Sequence, residues 1–119
     1  DYIIVPIISP YKKHRALVKE IVSVNFNEIY IKSSLDKCIE RDVKGLYKKA
    51  IKGEISDMIG IATSNPYEPP KNPNLIIDTE ELNLEDSLIK ILNFICDKRV
   101  KFNNSFLSAK QQKKSLKGF

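Results

Sequence analysis

Tryptophan is missing from these 119 residues, histidine and methionine occur once each, cysteine twice and glycine four times. Each scarcity narrows the chemistry. Cys38 and Cys96 fall within helical patterns and lack the close Cys or His spacing of a metal site. They read as reduced, buried thiols, which fits a reducing, cytoplasmic compartment. His14 has no Asp or Cys partner in the sequence, which argues against a catalytic role. None of the four glycines (Gly45, Gly53, Gly60 and Gly118) fits the phosphate-cradling pattern G-x-x-x-x-G-K-[ST]. No apolar run approaches the roughly 20 residues a membrane span needs. The start, "DYIIVPIISP", has no basic flank and no small-residue cleavage site, so it does not read as a signal peptide. It lacks an initiator Met and begins within what looks like a strand, which suggests a truncated sequence.

What is present suits one domain with a core: 42% hydrophobic and 29% charged residues. The net charge of +5 is unevenly placed. Residues 98–119 hold seven Lys or Arg and no acid, leaving 13 basic against 15 acidic residues, a net of −2, in the remainder. The basicity therefore belongs to a tail, which reads as a solvated, frayed terminus with at most a weak electrostatic contact to polyanions. That argues against a nucleic-acid binder.

Along the chain, "YIIVPII" (2–8) is a continuous β-branched run, expected as a strand buried on both faces. "SPYKKHRALVKEIV" follows as a helix, with Ser9 as N-cap, Pro10 at the first position and a stripe of Ala16, Leu17, Val18 and Ile21. "NEIYIKS" (27–33) predicts a second strand. "SLDKCIERD" (34–42) predicts a short helix capped by Ser34, and "KGLYKKAIKG" a further helix ending near Gly53. Four prolines between Pro66 and Pro73 exclude helix and interior strand there. "NLIID" (74–78) predicts a third strand. "NLEDSLIKILNFICDKR" is the clearest helix, capped by Asn83, ended near Lys98 and Arg99, with Leu84, Leu88, Ile91, Leu92 and Ile95 as its buried stripe. Alternating strands and helices imply a parallel α/β sheet. No internal repeat or low-complexity tract is evident.

Ligands of such sheets bind beyond the carboxyl ends of the strands. "ISPYKKHR" occupies one such end, where a helix start favours an anion and Lys12, Lys13 and Arg15 add cationic reach. "RDVKGLYKKAIKGEI" (41–55) gathers five basic residues around a Gly-Leu-Tyr step, and could be a solvated helix face or a mobile clamp for a phosphorylated ligand.

These stretches, together with "NPYEPPKNPNLIIDTEELNLED", resemble the carboxyl-terminal two-thirds of the adenylylsulfate kinase family. Its pattern runs close to I-S-P-Y-R-x-x-R, then C-x-x-R-D-x-K-G-L-Y-K-K-A-R-x-G-E-I, then F-T-G-I-D and P-Y-E-x-P. The match covers about residues 3 to 95, in order and near the same spacing. The resemblance implies a P-loop kinase fold, incomplete in this chain, with 1–98 as the carboxyl-terminal part of the kinase domain and 99–119 as a basic tail. It implies transfer of the terminal phosphoryl of ATP, with Mg²⁺, to the 3′-hydroxyl of adenylylsulfate. Residues 41–55 would form a lid over both nucleotides. Ser9 and Lys44 would be catalytic, although in-line transfer needs no covalent step at Ser9. Ile8, Ser9, Lys12, Arg15, Lys44, Gly45, Leu46, Asp57 and Met58 would face the acceptor, while Arg41, Lys48 and Lys49 would serve ATP and the lid. No metal ligand is assigned. Partners would be nucleotides, with a homodimer allowed and no membrane.

The departures lie on the acceptor side. Met58-Ile59-Gly60-Ile61-Ala62 stands where the family has F-T-G-I-D, and Lys12 replaces an Arg. Methionine covers a base without offering a π-face, and lysine lacks the bidentate fork. Another acceptor, such as a cytidine diphosphate derivative in surface-polysaccharide modification, is the alternative, with a non-catalytic nucleotide-binding module as a second. The P-loop and the D-G-D-N-x-R acceptor segment do not occur in these residues. In the family's five-stranded sheet the first strand lies between the third and the fourth, so 2–8 and 27–33, as third and fourth, are expected to share no ladder here.

Overall fold

A computed structural model describes residues 2–115, which divide at residues 80 and 81 into two compact units. The first unit contains α1 (Lys12–Val22), a 3-10 turn (Ser23–Asn25), β1 (Ile29–Lys32), α2 (Leu35–Arg41), α3 (Leu46–Ile51) and β2 (Leu75–Asp78). The second consists of α4 (Leu84–Ser115).

β1 and β2 are parallel neighbours, with Ile29 opposite Leu75 and Lys32 opposite Asp78. Their β-branched and aromatic side chains suit a pleated surface, and both ends of the pair are pinned. At the start, Asn74 Oδ1 accepts the Glu28 amide at 2.8 Å, and the Asn74 amide donates to Glu28 O at 2.8 Å. At the finish, Thr79 N donates to Lys32 O at 2.9 Å, and Lys32 Nζ meets Asp78 Oδ2 at 2.6 Å. Ile77, 1% exposed, is the centre of the small core, with Ala50 the other buried hydrophobic among the described residues.

The α/β class, the parallel pairing and the crossover through α2 and α3 match expectation, as do two caps. Ser34 Oγ accepts the Lys37 amide at 3.2 Å, and Asn83 Oδ1 accepts the Asp86 amide at 2.8 Å. The proline segment forms no helix or strand.

Other expectations are corrected. The run 2–8 forms no strand, and Ile3, Ile4 and Ile7 are exposed. Parallel strands are stable only in a ladder, and the sheet among the described residues holds β1 and β2 alone. α1 buries no residue either: Leu17, Val18 and Ile21 are all exposed. Ser9 does not cap α1, whose N-cap is Tyr11. α4 continues past Arg99 to Ser115, because no Gly or Pro interrupts it. The frayed tail is therefore helical to Ser115, and its last residues, 116–119, lie outside the described residues. Leu84, Leu88 and Leu92 are exposed, and Ile91 and Ile95 half-buried, since α4 has no second element within its own unit to cover its stripe. The thiols are free but not buried: Cys38 is half-buried and Cys96 exposed.

Candidate functional site

The turn before α1 is held by groups distant in sequence. Ser9 adopts φ +40°, a left-handed value that costs a non-glycine residue about 1–3 kcal/mol. Arg15 reaches back from the first turn of α1. Its Nη1 donates to Ser9 O and its Nη2 to Glu68 O, both at 2.6 Å. Its Nε lies 2.9 Å from Glu28 Oε1, an ion pair bent away from hydrogen-bond geometry. With 12% of its side chain exposed, Arg15 ties the turn, the proline loop and the approach to β1 together. Glu68 completes the arrangement: its amide donates to Pro10 O at 2.9 Å, and its Oε2 accepts the Lys12 amide at 2.7 Å. The anion expected at this helix start is thus the chain's own carboxylate.

Tyr11 links this turn to the Met58 loop. Its hydroxyl donates to Asn65 Oδ1 at 2.8 Å, while Asn65 Nδ2 donates to Asp57 O at 3.1 Å. Met58 O accepts the amides of Ile61 and Ala62, and Gly60, at φ +83°, donates to Asn65 O. Met58 is half-buried and Asp57 exposed. Tyr67 stacks on Tyr30 with ring centroids 6.2 Å apart, and burial raises the pKa of its phenol. His14 packs edge-on against Tyr11 at 5.4 Å.

The second cluster is the basic segment. Asp42 accepts the amides of Tyr47 and Lys48 at 3.0 and 2.9 Å, which anchors the first turn of α3. Gly45 sits at φ +66° and donates to Asp42 O. A Cβ placed there would meet nothing within 4 Å, so backbone conformation rather than crowding calls for glycine. With Asp42 committed to backbone amides, Lys44, Lys48 and Lys49 stand exposed, and no ion pair among the described residues engages them. An open, largely apolar depression lies between Cys38, Val43, Leu46 and Tyr47, with Arg41 and Lys44 at its margin. Burial, then the Cys38 thiol, raises the Tyr47 pKa. Arg41 itself is turned to the end of β2, donating from Nη1 to Thr79 Oγ1 at 2.8 Å and from Nη2 to Thr79 O at 2.6 Å.

The structure therefore gathers Ser9, Lys12, Arg15, Asp57 and Met58 around one turn, beside the exposed Ile8. It gathers Arg41, Lys44, Gly45, Leu46, Lys48 and Lys49 around a second. Leu35 Cδ1, in the first turn of α2, lies 3.8 Å from the Cβ position of Gly60 in the Met58 loop. Sequence reasoning missed Asn65, Glu68, Thr79 and Asp42 as the groups that hold these turns. Only Asp42 left a local signal: an acidic residue ahead of a glycine and a helical run is a cap pattern. Among the described residues, no group of three or more His, Cys, Asp or Glu could hold a metal ion, and no helix is long and apolar enough to cross a membrane.

Comparison with known proteins bears on this geometry. The profile of the family described as "Adenylylsulphate kinase" matches residues 1–78. A protein of Aeropyrum pernix named "Probable adenylyl-sulfate kinase" is 45% identical over 78% of this chain and 51% of its own length. An "Adenylyl-sulfate kinase" of Halothermothrix orenii is 45% identical over 76% of this chain and 48% of its own. The crystal structure of APE1195 superposes with a TM-score of 0.59 at 45% identity, over 77% of this chain and 51% of that one. The chain spans about half the length of the curated relatives it matches.

Proposed function

The chain belongs to the adenylylsulphate kinase family, and from that premise we propose that the whole protein is an ATP-dependent kinase acting on the 3′-hydroxyl of adenylylsulfate. The observation that carries the reading is the 41–49 segment. Asp42 and the left-handed Gly45 build a hydrogen-bonded turn beside which three lysines make no ion pair among the described residues. Uncompensated cations on a positioned turn are what a polyphosphate transfer needs. In the transfer, the acceptor's 3′-oxygen forms a bond to the terminal phosphorus of ATP as the bond to ADP breaks. The hydroxyl proton is released and the charge stays on the phosphoryl oxygens. Lys44 approaches the acceptor and its transferring group, Gly45 and Leu46 allow close backbone approach, and Lys48 and Lys49 lower the cost of bringing two anions together. The Ser9 turn, with Ile8, Lys12 and the Asp57–Met58 loop, borders the acceptor. Mg²⁺ would neutralise phosphate charge; among the described residues no group of three or more His, Cys, Asp or Glu could hold it. Residues 1–98 would be the kinase portion and 99–119 a basic appendage.

The half-buried Met58 and the Ala62 of its turn favour one second reading, a kinase of the same family whose acceptor is another nucleotide. A coupled assay on the full-length protein, comparing adenylylsulfate with cytidine and other nucleotide acceptors, separates the two. Lys44→Ala is expected to lower kcat/KM about 100-fold, the scale for losing one transition-state charge contact. Met58→Phe is expected to tighten adenylylsulfate binding or leave it unchanged. Clear loss of activity in Met58→Phe would favour the other acceptor.

A further inference from the structure

We infer that Glu68 is a positioning residue that sets the acceptor turn by acting as the distant N-cap of α1; its role in the reaction rests on the kinase reading above. α1 has no side-chain cap from its own N-cap residue, Tyr11. The serine two residues earlier, the natural candidate, is instead bent to φ +40°. The Glu68 carboxylate supplies the missing acceptor, taking the Lys12 amide at 2.7 Å. Its own amide returns a bond to Pro10 O, and its carbonyl takes Nη2 of Arg15, whose Nη1 holds Ser9 O. Pro10 and Lys12 are thereby held directly by a residue more than fifty positions away, and Ser9 through Arg15. The Arg15 guanidinium holds the Ser9 carbonyl and the Glu68 amide holds that of Pro10, and together they keep Ser9 in a left-handed conformation that serine avoids when unconstrained. With the carboxylate gone, the helix start is uncapped, and the turn that precedes it is held only by Arg15 and the Glu68 backbone. Since the bend lies on the acceptor side and the lysine lid is held separately by Asp42 and Thr79, the damage should be one-sided.

The test uses the full-length protein and three measurements: turnover with adenylylsulfate and ATP, the separate KM values, and amide hydrogen exchange over residues 9–15. Glu68→Ala is expected to raise the acceptor KM at least 10-fold, leave the ATP KM within twofold, and speed exchange at residues 9–15. Glu68→Gln keeps an oxygen for the Lys12 amide and is expected to restore both readouts to near the wild-type values. If Glu68→Ala does not fold, Glu68→Asp, one methylene too short, takes its place with the same expectation. Equal rises in both KM values, or no change in either, would overturn the inference while leaving the kinase reading intact. A wild-type protein without turnover of adenylylsulfate would overturn the kinase reading instead. The cap would then be judged by exchange alone: loss of protection in Glu68→Ala with retention in Glu68→Gln supports it, and equal protection in all variants rejects it.

Discussion

Residues 2–8 and β1 invite comparison because they are made of the same material. The first reads Tyr-Ile-Ile-Val-Pro-Ile-Ile and the second Ile-Tyr-Ile-Lys. By side-chain propensity the first is the better strand, interrupted only by Pro6. Yet β1 pairs in register with β2, while 2–8 forms no strand and leaves Ile3 93% exposed. What separates them is a neighbour. β1 has β2, and that pair has an asparagine at one end, a threonine and an ion pair at the other, and Ile77 beneath. A strand's stability resides in its ladder and its covered face, and propensity only decides which segments can use them.

The sharpest way to break the comparison is to ask whether the 119 residues fold as a unit. With Ala50 and Ile77 the buried hydrophobics among the described residues, there is too little buried area to offset chain entropy. The isolated chain is expected to melt broadly, with no calorimetric two-state transition, and to show no ATP turnover. A sharp transition that moves upward with nucleotide would mean that 2–8 has found a partner and that the two regions are equivalent.

Next in size are matched truncations in the two regions. Ile77→Ala truncates the residue that is 1% exposed, on which the local protection of the strand pair depends even in a chain that does not melt cooperatively. Amide protection at residues 29–32 and 75–78 should collapse accordingly. Ile4→Ala, at a side chain 75% exposed, should alter that protection by no more than about 0.5 kcal/mol. Comparable losses from both would place residues 2–8 in the same core as β2.

The same contrast explains what was legible in the sequence. Strand and helix candidates, the α/β class and the caps at Ser34 and Asn83 could be read, because each depends on residues within one turn or one strand. Burial could not. The stripes of α1 and α4 are real patterns in the sequence, but a pattern becomes a core only when another element covers it. The Ser9 cap failed for a related reason: Glu68, remote in sequence, competes for the Lys12 amide and wins. Of the candidate site, the exposed lysines around Gly45 were readable as a charge cluster. The bonds that hold Arg41 were not, since its partner Thr79 lies 38 positions away in sequence.

The smallest expected effect is a pH signature confined to the paired region. The Ser34 amide donates to Glu80 Oε1 at 2.5 Å, and that bond holds the Glu80 carboxyl below its ordinary value of 4.5. A carboxyl lowered in the folded state stabilises it above the unfolded pKa, and the contribution disappears as pH falls through the folded one. Lys32 behaves oppositely: its hydrogen bond to Asp78 raises it above 10.5, so its contribution is complete below that value and is lost as pH rises through the folded pKa. Both groups are solvent-exposed and salt screens them, so the changes should be slight and smaller still at high ionic strength. Exchange at Ser34 should quicken, beyond the intrinsic pH dependence, only as the pH falls below the ordinary carboxyl value of 4.5, and Glu80→Gln should remove that step. Residues 3–8 have no such tether and should follow intrinsic exchange rates throughout. An acid step at Ile3–Ile8 that tracks the one at Ser34 would show that the two regions titrate as a single sheet, and the distinction between a strand with a neighbour and one without would fail.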